Sequence, residues 1–248
     1  MKKAILAILI ASACLADVPP SRRIPTPPAQ PSNDAEADYQ RGVAAADGKG
    51  VPQDYAAAAR FYRKAADKGH LGALYDLAYL YENGLGVARD CAQAAILYRK
   101  AADRGDAESQ NNLGVLYATG EGVPRNDAEA VRWYRLAADQ GDLEAMNNLG
   151  TMYLQGRAVP LDLARAFQLC SKSAEAGFAA AQNNLALMYA NGQGVKKDYV
   201  WAYVWLDLAA EKIPASAALR DRIAKEMPPP DVAIARQLAA EKKSSPRK

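Results

Sequence analysis

Apolar positions along this chain recur at the spacing of a helix and then, over a longer range, at a fixed period of 36 residues. Residues 106–141 show one period in full. Asp106 can accept from the free N–H groups that open a helix, so it predicts a helix start. Ala107, Gln110, Leu113, Gly114 and Tyr117 follow at helical spacing and give this helix A one face to bury. Gly120-Glu121-Gly122 predicts the left-handed turn that ends it, because a residue without a Cβ enters that region freely. Val123-Pro124 stays extended, and Asn126 with Glu129 three residues on has the spacing of a capping box at the start of helix B. Ala130, Trp133, Tyr134, Ala137 and Ala138 form the buried stripe of helix B, and Gly141 is its stop.

The closing glycine returns as Gly69, Gly105, Gly141 and Gly177, and the turn glycine as Gly48, Gly84, Gly120, Gly156 and Gly192. Tyr81, Tyr117, Tyr153 and Tyr189 keep the same step. Such self-similarity predicts an all-α solenoid of five 36-residue helix-turn-helix repeats over residues 34–212. One hairpin cannot cover its own apolar face, so the next must lie against it. Beyond the array, Ala218, Leu219, Ile223 and Met227 predict a helix, Pro228–Pro230 a break, and Val232–Lys242 a second helix. This C-terminal capping helix pair occupies 213–243, with Ile234 and Leu238 expected over the open end of repeat five and a disordered tail at 244–248. Repeat four replaces its second turn glycine by Ala158, which predicts a different backbone path near Arg157.

Ala107, Leu113-Gly114, Tyr117, Gly120, Gly122-Val123-Pro124, Asn126, Ala130, Trp133-Tyr134-Arg135, Ala137-Ala138 and Gly141 together resemble the Sel1-like repeat family, relatives of the tetratricopeptide repeat. The resemblance implies a right-handed α-solenoid that serves as a protein-binding scaffold, with A helices on the concave side and B helices on the convex side. It also implies that the fifth and ninth residues of helix A point into the groove. The fifth are Tyr39, Tyr75, Asn111, Asn147 and Asn183, and the ninth Val43, Tyr79, Val115, Thr151 and Leu187. Asparagine amides donate and accept at once, and tyrosines add amphipathic area, so this ladder suits an extended peptide segment of another protein. Equally, these asparagines and the neighbouring Asn112, Asn148 and Asn184 can bond the adjacent repeat and fix the superhelix. A helices carry Glu36, Glu82, Glu108 and Glu144 with Arg41 as their sole base, so the groove is expected to prefer neutral or basic segments.

The first 13 residues read as a secretory signal: Lys2-Lys3, a short apolar core, then Ala11-Ser12-Ala13. That core is too short to span a bilayer of ~30 Å hydrocarbon. Cys14 follows as in a lipobox, although Ala11 stands where leucine is usual, and ordinary cleavage after Ala13 or Ala16 is the other reading. The expected location is therefore the periplasm or the outer membrane of a bacterium. Residues 14–33 hold Pro19, Pro20, Pro25, Pro27, Pro28 and Pro31, a composition for an extended spacer of order 50 Å. Cys91 and Cys170 sit two repeats apart, roughly 20 Å, beyond the ~7 Å reach of a disulfide, and are expected as free thiols.

Catalytic chemistry has little to work with. The single histidine, His70, stands where Asp106 and Asp142 cap other A helices, and with it no zinc ligand set can be assembled. No nucleophile elbow occurs, no repeat holds a Ser-x-x-Lys tetrad, and the Gly-x-Gly pairs follow helices instead of strands. No cofactor is expected. With Lys2 and Lys3 removed, 29 basic face 28 acidic residues, which gives no sustained basic stripe for nucleic acid. A membrane would be met only through a lipid on Cys14. The reading is a non-catalytic exported scaffold in envelope regulation; an envelope hydrolase or β-lactam-binding enzyme, and a self-stacking structural oligomer, are the alternatives.

Overall fold

The computed structural model describes residues 33–48 and 50–244; the expected signal segment, Cys14, the proline-rich stretch and residues 245–248 lie outside them. Twelve helices and no strand occur among the described residues. The A helices are α1 (Asn33–Asp47), α3 (Leu71–Asn83), α5 (Ala107–Thr119), α7 (Leu143–Gln155) and α9 (Ala179–Asn191). The B helices are α2 (Tyr55–Asp67), α4 (Cys91–Ala102), α6 (Asp127–Asp139), α8 (Leu163–Glu175) and α10 (Tyr199–Ala209), followed by α11 (Pro214–Ala224) and α12 (Pro229–Ser244). Residues 33–137 and 138–244 form two compact bodies, each an array of hairpins stacked in sequence order. The architecture is an all-α solenoid.

The helix ends follow the polar residues that bracket each apolar stripe. Asp106 and Asp142 accept from the amides of Ser109 and Ala145, both at 2.7 Å, and His70 does the same through Nδ1 to Ala73 at 3.1 Å. Asp54, Asp90, Asp162 and Asp198 cap the B helices. Asn126 makes only half of the expected capping box. Its side chain accepts from Glu129 N at 3.2 Å, while its own amide donates to Tyr117 O at 2.8 Å and Glu129 pairs with Arg132. That amide bond recurs from Asp90 to Tyr81, Asp162 to Tyr153 and Asp198 to Tyr189, and ties the start of each B helix back onto its A helix.

Within a hairpin the two helices meet at a small residue. A Cβ on Gly114 would stand 2.7 Å from the Tyr134 ring, and one on Gly150 would stand 2.8 Å from Cys170 Sγ. Leu113 and Leu116 are fully buried beside these crossings, each removing apolar area from water worth about 2 kcal/mol. Between hairpins the second turn glycine does the equivalent work. Gly86 places its backbone against Tyr55 and Ala56, Gly122 against Cys91 and Ala92, and Gly194 against Leu163 and Phe167, each at a positive φ. The path near Arg157 does not diverge, contrary to the expectation from Ala158. Ala158 itself takes φ 54°, the same left-handed region, because the amide ties on either side fix the loop's ends.

The last two helices both pack on α10, and Ile223, Met227, Ala235 and Ala239 enter one cluster with Leu185, Val204 and Leu206. Ile234 is 51% exposed instead of covering repeat five, since Ala235 and Ala239 allow a closer approach; Leu238 packs partly. Helix α12 begins at Pro229, where a missing N–H costs nothing, and runs through Ser244, so the break is shorter than expected and Ser244 is helical. Asp207 on α10 holds both cap helices, with Arg220 at 2.5 Å and Lys243 at 2.9 Å. Burial works to raise the Asp207 carboxyl, but hydrogen bonds from Lys243 and Arg220 outweigh it and hold the group below its ordinary range.

Gly122→Ala combines a left-handed φ with a 2.2 Å collision against Cys91 and is expected to cost more than about 2 kcal/mol. Ala158→Gly relieves a strained φ and is expected to be neutral or stabilising by up to about 1 kcal/mol, both read from urea melts. Equal effects of the two would contradict the seating described. Because the folded Asp207 value lies below the unfolded one, its contribution is complete above that unfolded value and lost as the pH falls through the folded one. Asp207→Asn should therefore speed hydrogen exchange across α11 and α12 at neutral pH, with the difference from wild type shrinking below about pH 4. Unchanged protection in the variant would remove Asp207 as the cap's anchor.

Candidate protein-binding face

Helix A carries two polar-bearing stripes, and the structure separates them by burial. The fifth residues belong to the inner one. Tyr39 is 5% and Tyr75 7% exposed, and Asn111 and Asn147 are buried with them. Tyr39 stacks on His70 at 4.2 Å between ring centroids, and Tyr75 lies 5.7 Å from Tyr98. These side chains sit in the seams between helices and support neighbouring repeats. Asn183 stays partly exposed, where Ser216 Oγ donates to its Oδ1 at 2.9 Å and links repeat five to α11.

The ninth residues lie on the outer stripe. Val43, Tyr79, Val115, Thr151 and Leu187 are all partly exposed, with the Thr151 hydroxyl donating back to Asn147 O at 3.0 Å. The sixth residues join them: Gln40 is exposed, and Asp76, Asn112, Asn148 and Asn184 are partly so. Positions two, six, nine and thirteen of helix A, for example Glu108, Asn112, Val115 and Thr119, are three or four residues apart and so share one face. Sequence reasoning gave the sixth position second place. Helical spacing links Asn112 to Glu108 and Thr119, but it is the fold that turns this stripe, and not that through Asn111, toward solvent.

A further asparagine contact joins two repeats directly. Asn184 Nδ2 donates to Asn147 Oδ1 at 2.9 Å and joins repeat five to repeat four, where α7 also packs on α9. In the N-terminal body the equivalent junction uses other chemistry. Arg63 on α2 donates to the Tyr81 hydroxyl, and Arg99 on α4 to that of Tyr117 at 2.5 Å, so a B helix is fastened to the following A helix. Repeat four has Ser171 at this register, and Tyr189 is instead held between Phe167 at 5.4 Å and Trp201 at 6.3 Å.

The A face is acidic in outline, with Glu36 and Glu108 exposed and Asp76 beside them. Hydrogen bonds from Gln40 and His70 hold the Glu36 carboxyl below its ordinary range, whereas burial pushes the Glu82 carboxyl up despite the Tyr98 hydroxyl at 2.8 Å. His70 is committed on both nitrogens, Nδ1 to the helix start and Nε2 to Glu36 at 3.0 Å. Cys170 is buried and its thiol pushed up to about 12, and Cys91 is half-buried and also raised by burial. Both are free thiols. Among the described residues no group of three or more His, Cys, Asp or Glu side chains gathers to hold a metal ion, and no helix is long and apolar enough to cross a membrane.

Comparison with known proteins adds the lineage. The chain is 34% identical to c5321, a protective antigen present in uropathogenic Escherichia coli strains that displays an SLR fold, with a TM-score of 0.70 over 84% of this chain. It spans 46% of that protein's length. A Sel1 repeat protein from Oxalobacter formigenes is 35% identical, with a TM-score of 0.65 and coverage of 72% of this chain and 73% of that one. The immunity protein Pa5087 from Pseudomonas aeruginosa, 22% identical with a TM-score of 0.51 over 87% of this chain and 85% of that one, shares the fold alone. No curated protein matches the chain. The Sel1 repeat model matches five times, at residues 35–70, 72–106, 107–142, 143–178 and 179–212, and the chain belongs to the Sel1 repeat family.

Proposed function

We propose that this chain is an exported, non-catalytic scaffold that holds another polypeptide along the outer stripe of its A helices. Sel1 repeat proteins are generally protein-interaction scaffolds, and the family is generally non-catalytic. The observation that carries the finer reading is the partly exposed apolar row at the ninth position, bordered by amides at the sixth. Tyr79 and Val115 present it in the N-terminal body, and Thr151 and Leu187 in the C-terminal body. Rigid helices hold these side chains ready, so a bound segment orders only itself. Asn112 and Asn148 supply donors and acceptors that suit a peptide backbone, and Glu36 and Glu108 favour a segment that is neutral or basic.

Export is supported by the signal-like start at 1–13, and analogy with the family suggests a role in envelope regulation. Cys14 offers a lipid attachment point and the proline-rich stretch a spacer behind it.

Crosslinking and recovery from an envelope extract tests the face. The Tyr79→Ala/Val115→Ser variant should lose at least about tenfold in affinity for the recovered partner while keeping its melting curve, because both side chains are partly exposed. Tyr39→Ala, by contrast, empties a buried ring site and should lower stability by about 3 kcal/mol or more. Undiminished capture by the first variant would overturn the proposed face. Intact mass of the protein recovered from its host should show an N-terminal Cys14 bearing acyl chains if the anchor is used. A mature terminus at Cys14 or Asp17 without lipid would leave a freely diffusing scaffold instead.

A further inference from the structure

We propose that the B-helix side of the N-terminal body is a second binding surface, for an extended acidic segment of another protein, independent of the A-helix face. The observation is a charge pattern that the fold does not require. The middle turns of α2 carry Arg60, Arg63 and Lys64. At the same registers α4 carries Ile96, Arg99 and Lys100, and α6 carries Arg132, Arg135 and Leu136. In the C-terminal body these registers read Gln168, Ser171 and Lys172 on α8, then Val204, Asp207 and Leu208 on α10. Basic character is thus a property of the first three repeats and lapses in the last two, although all five stack by the same rules.

Some of these cations have internal work. Arg63 and Arg99 fasten tyrosines of the next repeat, and Arg132 pairs with Glu129 at 3.3 Å. Others do not. Arg60 and Lys100 are exposed and make no ion pair among the described residues, and Lys64 makes none while lying 5.7 Å over the Phe61 ring. Ile96, 51% exposed, interrupts the row at the centre with an apolar side chain, and Leu136, 40% exposed, stands on the next helix. Exposed cations that make no close ion pair, set around an exposed aliphatic group, are complementary to acidic residues flanking an apolar one.

The shape of the pattern selects a linear partner over a flat one. Asp67 and Asp103, both exposed, lie four residues beyond Arg63 and Arg99, one helical turn away on the same side. A broad anionic plane, such as a lipid surface, would be pressed against these carboxylates. A single extended segment along the cationic row would avoid them. Successive helix layers lie about 10 Å apart and an extended chain advances about 3.3 Å per residue, so the matching segment carries an acid at about every third position.

The test uses the full chain and a fluorescein-labelled nonapeptide with glutamate at positions 1, 4 and 7 and leucine beside the middle one, titrated by anisotropy at low salt. Binding should weaken steeply as salt is raised, and should fall at least about tenfold in the combined variant Arg60→Glu/Lys64→Glu/Lys100→Glu. Lys172→Glu in the C-terminal body and Tyr79→Ala on the A face should leave it unchanged, which separates this surface from the A-helix site. The three substituted side chains make no internal ion pair, so a melting curve like that of wild type is expected. Failure of the peptide to bind, equal binding by the triple variant, or binding of phosphatidylglycerol vesicles that the peptide does not displace would each overturn the proposal.

Discussion

A Cβ at Gly122 would lie 2.2 Å from the carbonyl carbon of Cys91, and at Gly86 and Gly194 a similar collision with the preceding hairpin would follow. The backbone of these three loops therefore rests directly on the first turn of the B helix before it. Such contact leaves no room for a side chain and needs a left-handed φ, and glycine meets both demands. Within each body this seating brings the apolar face of one hairpin onto the next. Tyr62, Tyr98 and Trp133 are buried as a consequence. The period of the sequence is the period of this contact.

Around that constraint the junctions differ in their chemistry. The first is closed by Lys68 on Asp38 at 2.6 Å and by His70 on Glu36, with the Tyr39 ring stacked on the imidazole. Arg104 Nη1 donates to Gly69 O at 2.6 Å further along the same body. Repeat five relies on aromatic packing and on the Asn184–Asn147 amide bond, and its end is held by the two cap helices through Asp207. Each of these polar contacts, most of them part-buried, is modest beside the apolar burial it accompanies. Their effect is to fix which register the stacked faces adopt.

The same division of labour leaves two surfaces with different character. Outer A-helix positions present aliphatic side chains, amides and carboxylates on rigid supports, while outer B-helix positions of the first three repeats present cations around Ile96. His70 spends its nitrogens on a helix cap and a carboxylate, and Cys170 is sealed in the core.

The helices, their caps, the turn glycines and the five-fold period were legible in the chain itself, because each is a local consequence of spacing, of a side chain able to accept an amide, or of a missing Cβ. Even His70 as a helix cap was readable, since it stands in register with Asp106 and Asp142. What the sequence could not decide was which of two adjacent helix positions meets solvent. Asn111 and Asn112 are chemically identical neighbours, yet one is buried and the other partly exposed, because the rotation of helix A about its axis is set by how its glycine crossing and the next hairpin fit together. The path at Ala158 and the exposure of Ile234 were tertiary decisions for the same reason. A local strain is accepted when the loop's ends are already tied, and a large apolar residue is left outside when smaller neighbours let two helices come closer.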